Sequence, residues 1–269
     1  MADLPNLDEY FARIRWGGGT RPTFETLAGI LSAHMARIPF ENLDVLLGRP
    51  IRLDLEGVQD KLVRARRGGY CFEHATLLGA VLERLGFEPI RHTARVVLVV
   101  PRTEAPRTHM FLTVPLGAGT FVLDPGFGAL APRVPVPLAD GAEARIDAEC
   151  HRMVRDGRDW VLRARAAGED VDCWVSTLER EYPMDFAMGN HYTSTYRTSP
   201  FVNQIMMRAL LDDGRVTVMN RDVTIRQGSA VRTWQLADRA ALRGVLLEYF
   251  GIDLPEVTTI RVPAIPEWE

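Results

Sequence analysis

The chain is 269 residues long, 46% hydrophobic and 25% charged, ordinary globular values that exclude a disordered chain, a fibrous protein and a coiled coil. Its 32 basic and 35 acidic side chains leave a formal charge of −3, so there is no overall basic field to hold nucleic acid or an anionic membrane. Cys71, Cys150 and Cys173 are too few and too widely spaced for a disulfide framework or paired zinc knuckles. With no basic-then-apolar leader pattern and no long apolar run, the expectation is a cytoplasmic protein with free thiols and no membrane span.

No internal repeat or low-complexity tract breaks the chain, and its grammar changes in kind along its length. Up to about residue 88 it reads as helical. Leu7, Tyr10, Phe11 and Ile14 form one apolar stripe, and Leu27, Ile30 and Leu31 begin another. Asp54 is placed to cap a third helix carrying Val58 and Leu62 and running to the stop at Gly68-Gly69. A fourth helix is expected from about Tyr70 to Leu85, with Ala75, Leu78, Leu82 and Leu85 on its apolar face and Gly86 ending it. After Pro89 the pattern is β: Arg95–Val100, Met110–Leu116 and Thr120–Leu123 read as strands, the last two joined by a turn at Gly117-Ala118-Gly119. Segments near Arg152–Val154 and Trp160–Arg165 continue this unit. Further on, Val216–Met219 and Val223–Arg226 form a candidate hairpin, and Asp238 is a candidate cap for a helix through Leu242, Leu246 and Phe250.

Chemistry concentrates in the first half. Cys71 follows Arg67-Gly68-Gly69-Tyr70 and falls in the first turn of the fourth helix, where unpaired N–H groups and the helix dipole favour a thiolate. The two glycines allow a sharp turn and a close approach by substrate. A hairpin centred near residues 117 and 118 pairs positions summing to about 235, which puts His109 opposite residue 126 and brings Asp124 to the same end. Nucleophile, base and orienting carboxylate are what thiol catalysis needs. A metal site drawn through Cys71, His74, His109, Cys150 and His151 matches no common zinc spacing, so no metal is expected.

Ile38-Pro39-Phe40-Glu41-Asn42-Leu43, Arg67-Gly68-Gly69-Tyr70-Cys71-Phe72-Glu73, Thr108-His109-Met110 and Asp124-Pro125-Gly126-Phe127-Gly128, in that order, resemble the signature segments of the arylamine N-acetyltransferase family. The resemblance implies an α+β fold with a thiol-protease-like core: a helical bundle over 1–88, a β-barrel over 89–188 and an α/β lid over 189–269. Cys71, His109 and Asp124 would be the triad, at the junction of the first two units. It also implies ping-pong transfer of acetyl from acetyl-CoA to arylamines, arylhydrazines or N-hydroxyarylamines through an acetyl-cysteine, a role in xenobiotic metabolism, and a monomer or homodimer. Phe40, Phe127 and Phe201 are the candidate acceptor walls. Arg102, Arg107, Thr108 and Gly128 are the candidate contacts to coenzyme A, with the two arginines meeting phosphate. A Glu41–Arg67 ion pair is expected to brace the Cys71 loop, and His191 and Tyr192 to line a lid or cleft. Two positions depart from the family pattern: Pro125 stands where valine is usual, and Ala75 where asparagine is usual. Three other readings fit the same residues: an amide synthase using this triad, a thiol hydrolase of transglutaminase or papain type, and a binding module that retains the triad.

Overall fold

The computed structural model describes residues 4–117, 119–147, 149–166 and 168–268; the expected turn residue Ala118 lies outside them. The helical part comprises α1 (Leu7–Ile14), α2 (Phe24–Arg37), α3 (Leu43–Leu46), α4 (Leu55–Gln59) and α5 (Cys71–Arg84), with a two-residue strand β1 (Phe40–Glu41) between α2 and α3. Tyr10, Ile14, Leu27, Ile30 and Leu31 are buried in one core with Phe72, Leu78 and Leu82 of α5, as their helical spacing requires. Asp54 caps α4 by accepting from Gly57 N at 2.9 Å. That helix is shorter than expected, because its end loosens into a π-helical turn over Asp60–Arg64 rather than running to the glycine pair.

Eight antiparallel strands follow: β2 (Ile90–Val96), β3 (Arg107–Leu116), β4 (Gly119–Leu123), β5 (Val136–Pro137), β6 (Glu143–Ile146), β7 (Glu149–Asp156), β8 (Asp159–Ala166) and β9 (Glu169–Ser176). Their order is β5-β4-β3-β2-β9-β8-β7-β6, and the two edge strands approach one another, so the sheet nearly closes into a barrel. The strand expected over Arg95–Val100 starts and ends earlier. Leu98, Val99 and Val100 are exposed beyond the last paired residue, Val96, so a β-branched run without a partner strand does not extend the ladder. β3 is buried on both faces: Met110, Leu112 and Val114 join the helical core and Phe111 the barrel core, which is why its alternation is weak in sequence.

The last part contains α6 (Pro183–Thr195), α7 (Pro200–Asn203), strands β10 (Met206–Leu211), β11 (Gly214–Met219), β12 (Asp222–Gln227) and β13 (Ala230–Gln235), and α8 (Arg239–Val245), capped by Asp238. The expected boundary at 188/189 falls inside α6, which packs on β3. The stretch around His191 and Tyr192 is helical, with Phe186, Gly189, Asn190 and Thr193 on its buried face; a β-carbon at Gly189 would lie 2.8 Å from the Phe72 ring. The first unit also lends β1 to the last sheet, whose order is β1-β10-β11-β12-β13.

Five charged side chains tie this crossing together. Arg67 Nη2 meets Glu41 Oε1 at 2.6 Å and its Nη1 meets Asp44 Oδ1 at 3.2 Å. Lys61 Nζ then links Asp44 at 2.9 Å to Glu73 at 2.7 Å, and Glu73 accepts from Tyr70 N at 3.0 Å. The expected Glu41–Arg67 pair is thus one link in a chain that ends on the backbone beside Cys71. Arg67→Ala leaves Glu41, 0% exposed, without its cation, so a loss of about 3–5 kcal/mol is expected in urea unfolding. A loss below about 1 kcal/mol, as for a surface pair, would contradict this account.

Candidate active site

The turn into α5 requires its glycines. A β-carbon at Gly68 would stand 2.3 Å from Pro39 O, and one at Gly69 would stand 2.7 Å from Glu73 Oε2. Freed of side chains, this segment runs parallel to β1, with Gly69 N donating to Pro39 O at 3.2 Å and Glu41 N to Gly69 O at 2.9 Å. Cys71 then opens a 14-residue helix, its Sγ directed at Thr108 O, 3.8 Å away at the start of β3.

The β3–β4 hairpin has the register expected from its turn, with Leu112 opposite Leu123. Past the last pair, His109 Nε2 donates to Asp124 Oδ2 at 2.8 Å, leaving the other ring nitrogen for the thiol. Asp124 has 0% exposure, and two more donors hold it: Trp174 Nε1 on Oδ2 at 2.8 Å and Gly126 N on Oδ1 at 3.3 Å. Burial by itself would drive a proton off His109, but the Asp124 carboxylate and hydrogen bonds to Asp124 and Cys71 outweigh it and lift the imidazolium pKa to about 10. Gly126 also lets the loop after Asp124 lie on the nucleophile, since a β-carbon there would be 2.4 Å from Cys71 Cα. Pro125 has no N–H to offer its neighbour's carboxylate, and Gly126 makes that bond instead. Ala75, fully buried in the helical core, is a packing position.

These arrangements match proteins of known kind. A family model described as N-acetyltransferase matches residues 23–259. An arylamine N-acetyltransferase of Escherichia coli is 37% identical, with 94% of this chain and 90% of that protein covered. The chain belongs to the arylamine N-acetyltransferase family. The relative from Mycolicibacterium smegmatis is 37% identical with 96% of each chain covered. Among solved structures, the Mycobacterium tuberculosis arylamine N-acetyltransferase superposes with a TM-score of 0.89 at 35% identity, covering 94% of this chain and 96% of that one. The Mycobacterium marinum arylamine N-acetyltransferase in complex with CoA does so with a TM-score of 0.89 at 35% identity, covering 94% of each chain.

The other expected residues divide. Phe127 lies edge-on to His109 with ring centres 5.0 Å apart, while Phe201 packs against Tyr70 at 5.1 Å and Phe40 at 6.2 Å. All three phenylalanines are half-buried. Gly128, at φ +68°, presents its α-carbon to the Phe40 ring. Thr108 faces the thiol with its carbonyl, and its hydroxyl bonds to Pro106 O at 3.5 Å. The two arginines expected to be open for phosphate are instead paired with carboxylates. Arg102 reaches Asp156 at 2.9 Å and Asp159 at 3.3 Å on the β7–β8 hairpin, and Arg107 reaches Glu179 and Glu181, each at 3.4 Å. His191 and Tyr192 lie on the exposed side of α6, where Tyr192 stacks on Tyr196 at 4.4 Å.

Sequence reading missed Trp174 and a second buried network. Tyr10 OH meets His34 Nδ1 at 2.9 Å, and His34 Nε2 meets His74 Nδ1 at 2.8 Å. His74 Nε2 then meets Pro39 O and Gly69 O at 3.2 and 3.1 Å. The two carbonyls only accept, so His74 Nε2 carries a proton; its Nδ1 therefore accepts from His34 Nε2–H, and His34 Nδ1 accepts from Tyr10. Every proton in this relay points toward the Cys71 loop. Burial first, and then the neighbouring His74 and Arg13, hold the His34 pKa well below its ordinary value; burial brings His74 to about 4.

Burial likewise lowers His92 to about 4 and lowers His151. Their unfolded counterparts bind protons near pH 6.5, so the stability these four neutral rings contribute is present above 6.5 and is lost as pH falls below it, through about 4 for His74 and His92. His109 has the opposite sign, with a contribution fully present below pH 6.5 and lost as pH rises through about 10. Urea unfolding between pH 6.5 and 5 should show a decline approaching about 1.4 kcal/mol per pH unit for each of His74 and His92. A flat profile would contradict the neutral relay.

Proposed function

We propose that this protein is a cytoplasmic acetyltransferase that carries acetyl from acetyl-CoA to arylamines, arylhydrazines or N-hydroxyarylamines through an acetyl-cysteine on Cys71. Family membership supports the reaction class. The CoA complex of the Mycobacterium marinum relative supports the donor. A Salmonella typhimurium relative, 35% identical over 93% of this chain, is named arylamine N-acetyltransferase / N-hydroxyarylamine O-acetyltransferase, which supports the acceptors. The observation that carries the mechanism is the buried 2.8 Å bond between His109 and Asp124, next to a cysteine that opens a helix.

In this reading His109 takes the Cys71 proton and Asp124 holds the resulting imidazolium. Sγ attacks the acetyl carbonyl, and the oxyanion is met by the first-turn N–H groups of Cys71 and Phe72, which have no partner within the helix. Coenzyme A leaves as its thiol with the proton from His109. The amine then attacks the acetyl-cysteine while His109 accepts its proton, and Cys71 is restored. Phe40, Phe127 and Phe201 would pack on the acceptor ring and keep water from the thioester. Gly128 and the Thr108 backbone line the donor's approach. Of the two arginines, Arg107 is nearer the triad in sequence, and a phosphate there would exchange for Glu179 and Glu181. Detoxication of foreign amines is the role such an activity fits.

The test is to mix purified protein with acetyl-CoA and a panel of anilines and hydrazines and to follow released CoA and acetylated amine together. Amine-dependent release is expected, absent in Cys71→Ala and reduced about 10⁴-fold in Asp124→Asn, which favours the wrong tautomer. Release that ignores the amine would identify a hydrolase and contradict the proposal. Failure with every amine but success with a carrier-bound polyketide would identify an amide synthase.

A further inference from the structure

The outer side of α6 is apolar where a helix facing water carries charge. Over Pro183–Thr195 the helix holds one charged residue, Asp185. Met184, Met188 and Tyr192, with Tyr196 directly after the helix, recur every four positions and are all exposed, the two methionines by 69% and 67%. A surface helix turns its polar residues outward, whereas here two methionines and two tyrosines form one continuous row. The tyrosine rings stack at 4.4 Å into a single plate. The inner side of the same helix is engaged within the chain: Asn190 bonds to Tyr70 and donates to Ile51 O at 3.1 Å.

The row is complementary to itself. Its members lie symmetrically about position 190, so a two-fold axis there sets Met184 on the partner's Tyr196 and Met188 on the partner's Tyr192, each thioether against an aromatic ring. Packing an i, i+4 ridge beside the same ridge of a second helix is the commonest way for helices to meet. The charges select the antiparallel sense. Asp185 lies in the first turn, where one of its oxygens accepts from Tyr182 N at 2.8 Å, and Arg197 stands exposed just past the last turn. Antiparallel helices bring Asp185 of each copy toward the partner's Arg197, while parallel helices would bring like charges together. The helix dipoles favour the same sense.

We propose that this face of α6 docks a second copy of the chain, giving a two-fold dimer through antiparallel α6 helices. Covering the row together with exposed Tyr182 removes on the order of 600 Å² from each protomer, somewhat less than the ~800 Å² of a standard interface. The dimer is therefore a reversible one, with a Kd in the micromolar range. Its effect reaches the nucleophile, because Thr193 Oγ1 lies 3.5 Å from Thr108 O, the atom that faces Cys71 Sγ. A partner that holds α6 also holds that carbonyl and Tyr70.

Sedimentation velocity of the whole protein from about 1 to 200 µM reads the dimer independently of acetyl transfer. We expect the weight-average mass to rise from the 30.2 kDa of one chain toward twice that value. Met188→Lys, at a position exposed enough to leave the fold intact, should weaken association by more than about 10-fold. Asp185→Arg and Arg197→Asp each place like charges together and should weaken it too, and an equimolar mixture of these two variants should restore the dimer. Wild-type protein that stays monomeric at about 200 µM would overturn the proposal, and monomeric protein that sediments with phosphatidylcholine vesicles would assign the row to a lipid surface instead. A dimer that persists in Met188→Lys would overturn it by placing the contact elsewhere on the molecule. Charge variants that associate no better mixed than alone would overturn the antiparallel arrangement.

Discussion

A carboxylate with no exposure to water must be satisfied from every side, and Asp124 is. Its two oxygens take a histidine from β3, an indole from β9 and a backbone N–H from its own loop. Two of the three donors come from strands of the barrel, so the nearly closed sheet is what makes this buried charge tolerable. The same charge keeps His109 protonated more readily than burial alone would allow, and it orients the ring so that one nitrogen is left for the thiol. Remove the barrel and neither the charge nor the tautomer persists.

The nucleophile's side of the site is built by different means. Cys71 is delivered by a turn with no side chains of its own to anchor it, so its anchors come from outside: the five-member ionic chain ending on Tyr70 N, and the Tyr10, His34, His74 relay ending on Pro39 O and Gly69 O. Tyr70 itself bonds to Asn190 of α6, and Asn42 binds the carbonyls of Phe201 and Gln204 at 2.8 and 2.7 Å. α6 and α7 are thus fastened to Tyr70, next to Cys71, and to Asn42, next to β1.

How much of this could be read from the amino acids alone varies with the kind of interaction. Helix stripes, the Asp54 and Asp238 caps and the 112/123 register were legible because each depends on neighbours close in sequence. The turn arithmetic that joined His109 to Asp124 worked for the same reason. Trp174 was not legible: it comes from a strand 50 positions beyond Asp124, with nothing in its own segment to show that its N–H faces inward. Nor was the pairing of Arg102 and Arg107 with carboxylates, since both partner sets come from other strands and loops. α6 was hidden because Phe186 is the one large apolar residue among its buried positions, the others being Gly189, Asn190 and Thr193, too few for a hydrophobic stripe. β1 joins a sheet whose other strands lie more than 160 residues away, and two residues carry no period at all.

In the proposed mechanism the geometry at the barrel edge makes Cys71 a covalent acyl carrier. Intact mass after brief exposure to acetyl-CoA, without any amine, tests it most directly. The expected result is a single adduct of about 42 Da, one acetyl group, that maps to Cys71, disappears in Cys71→Ala and is discharged by an added arylamine. Protein that stays unmodified while acetylating amines, or an adduct that survives Cys71→Ala, would contradict it.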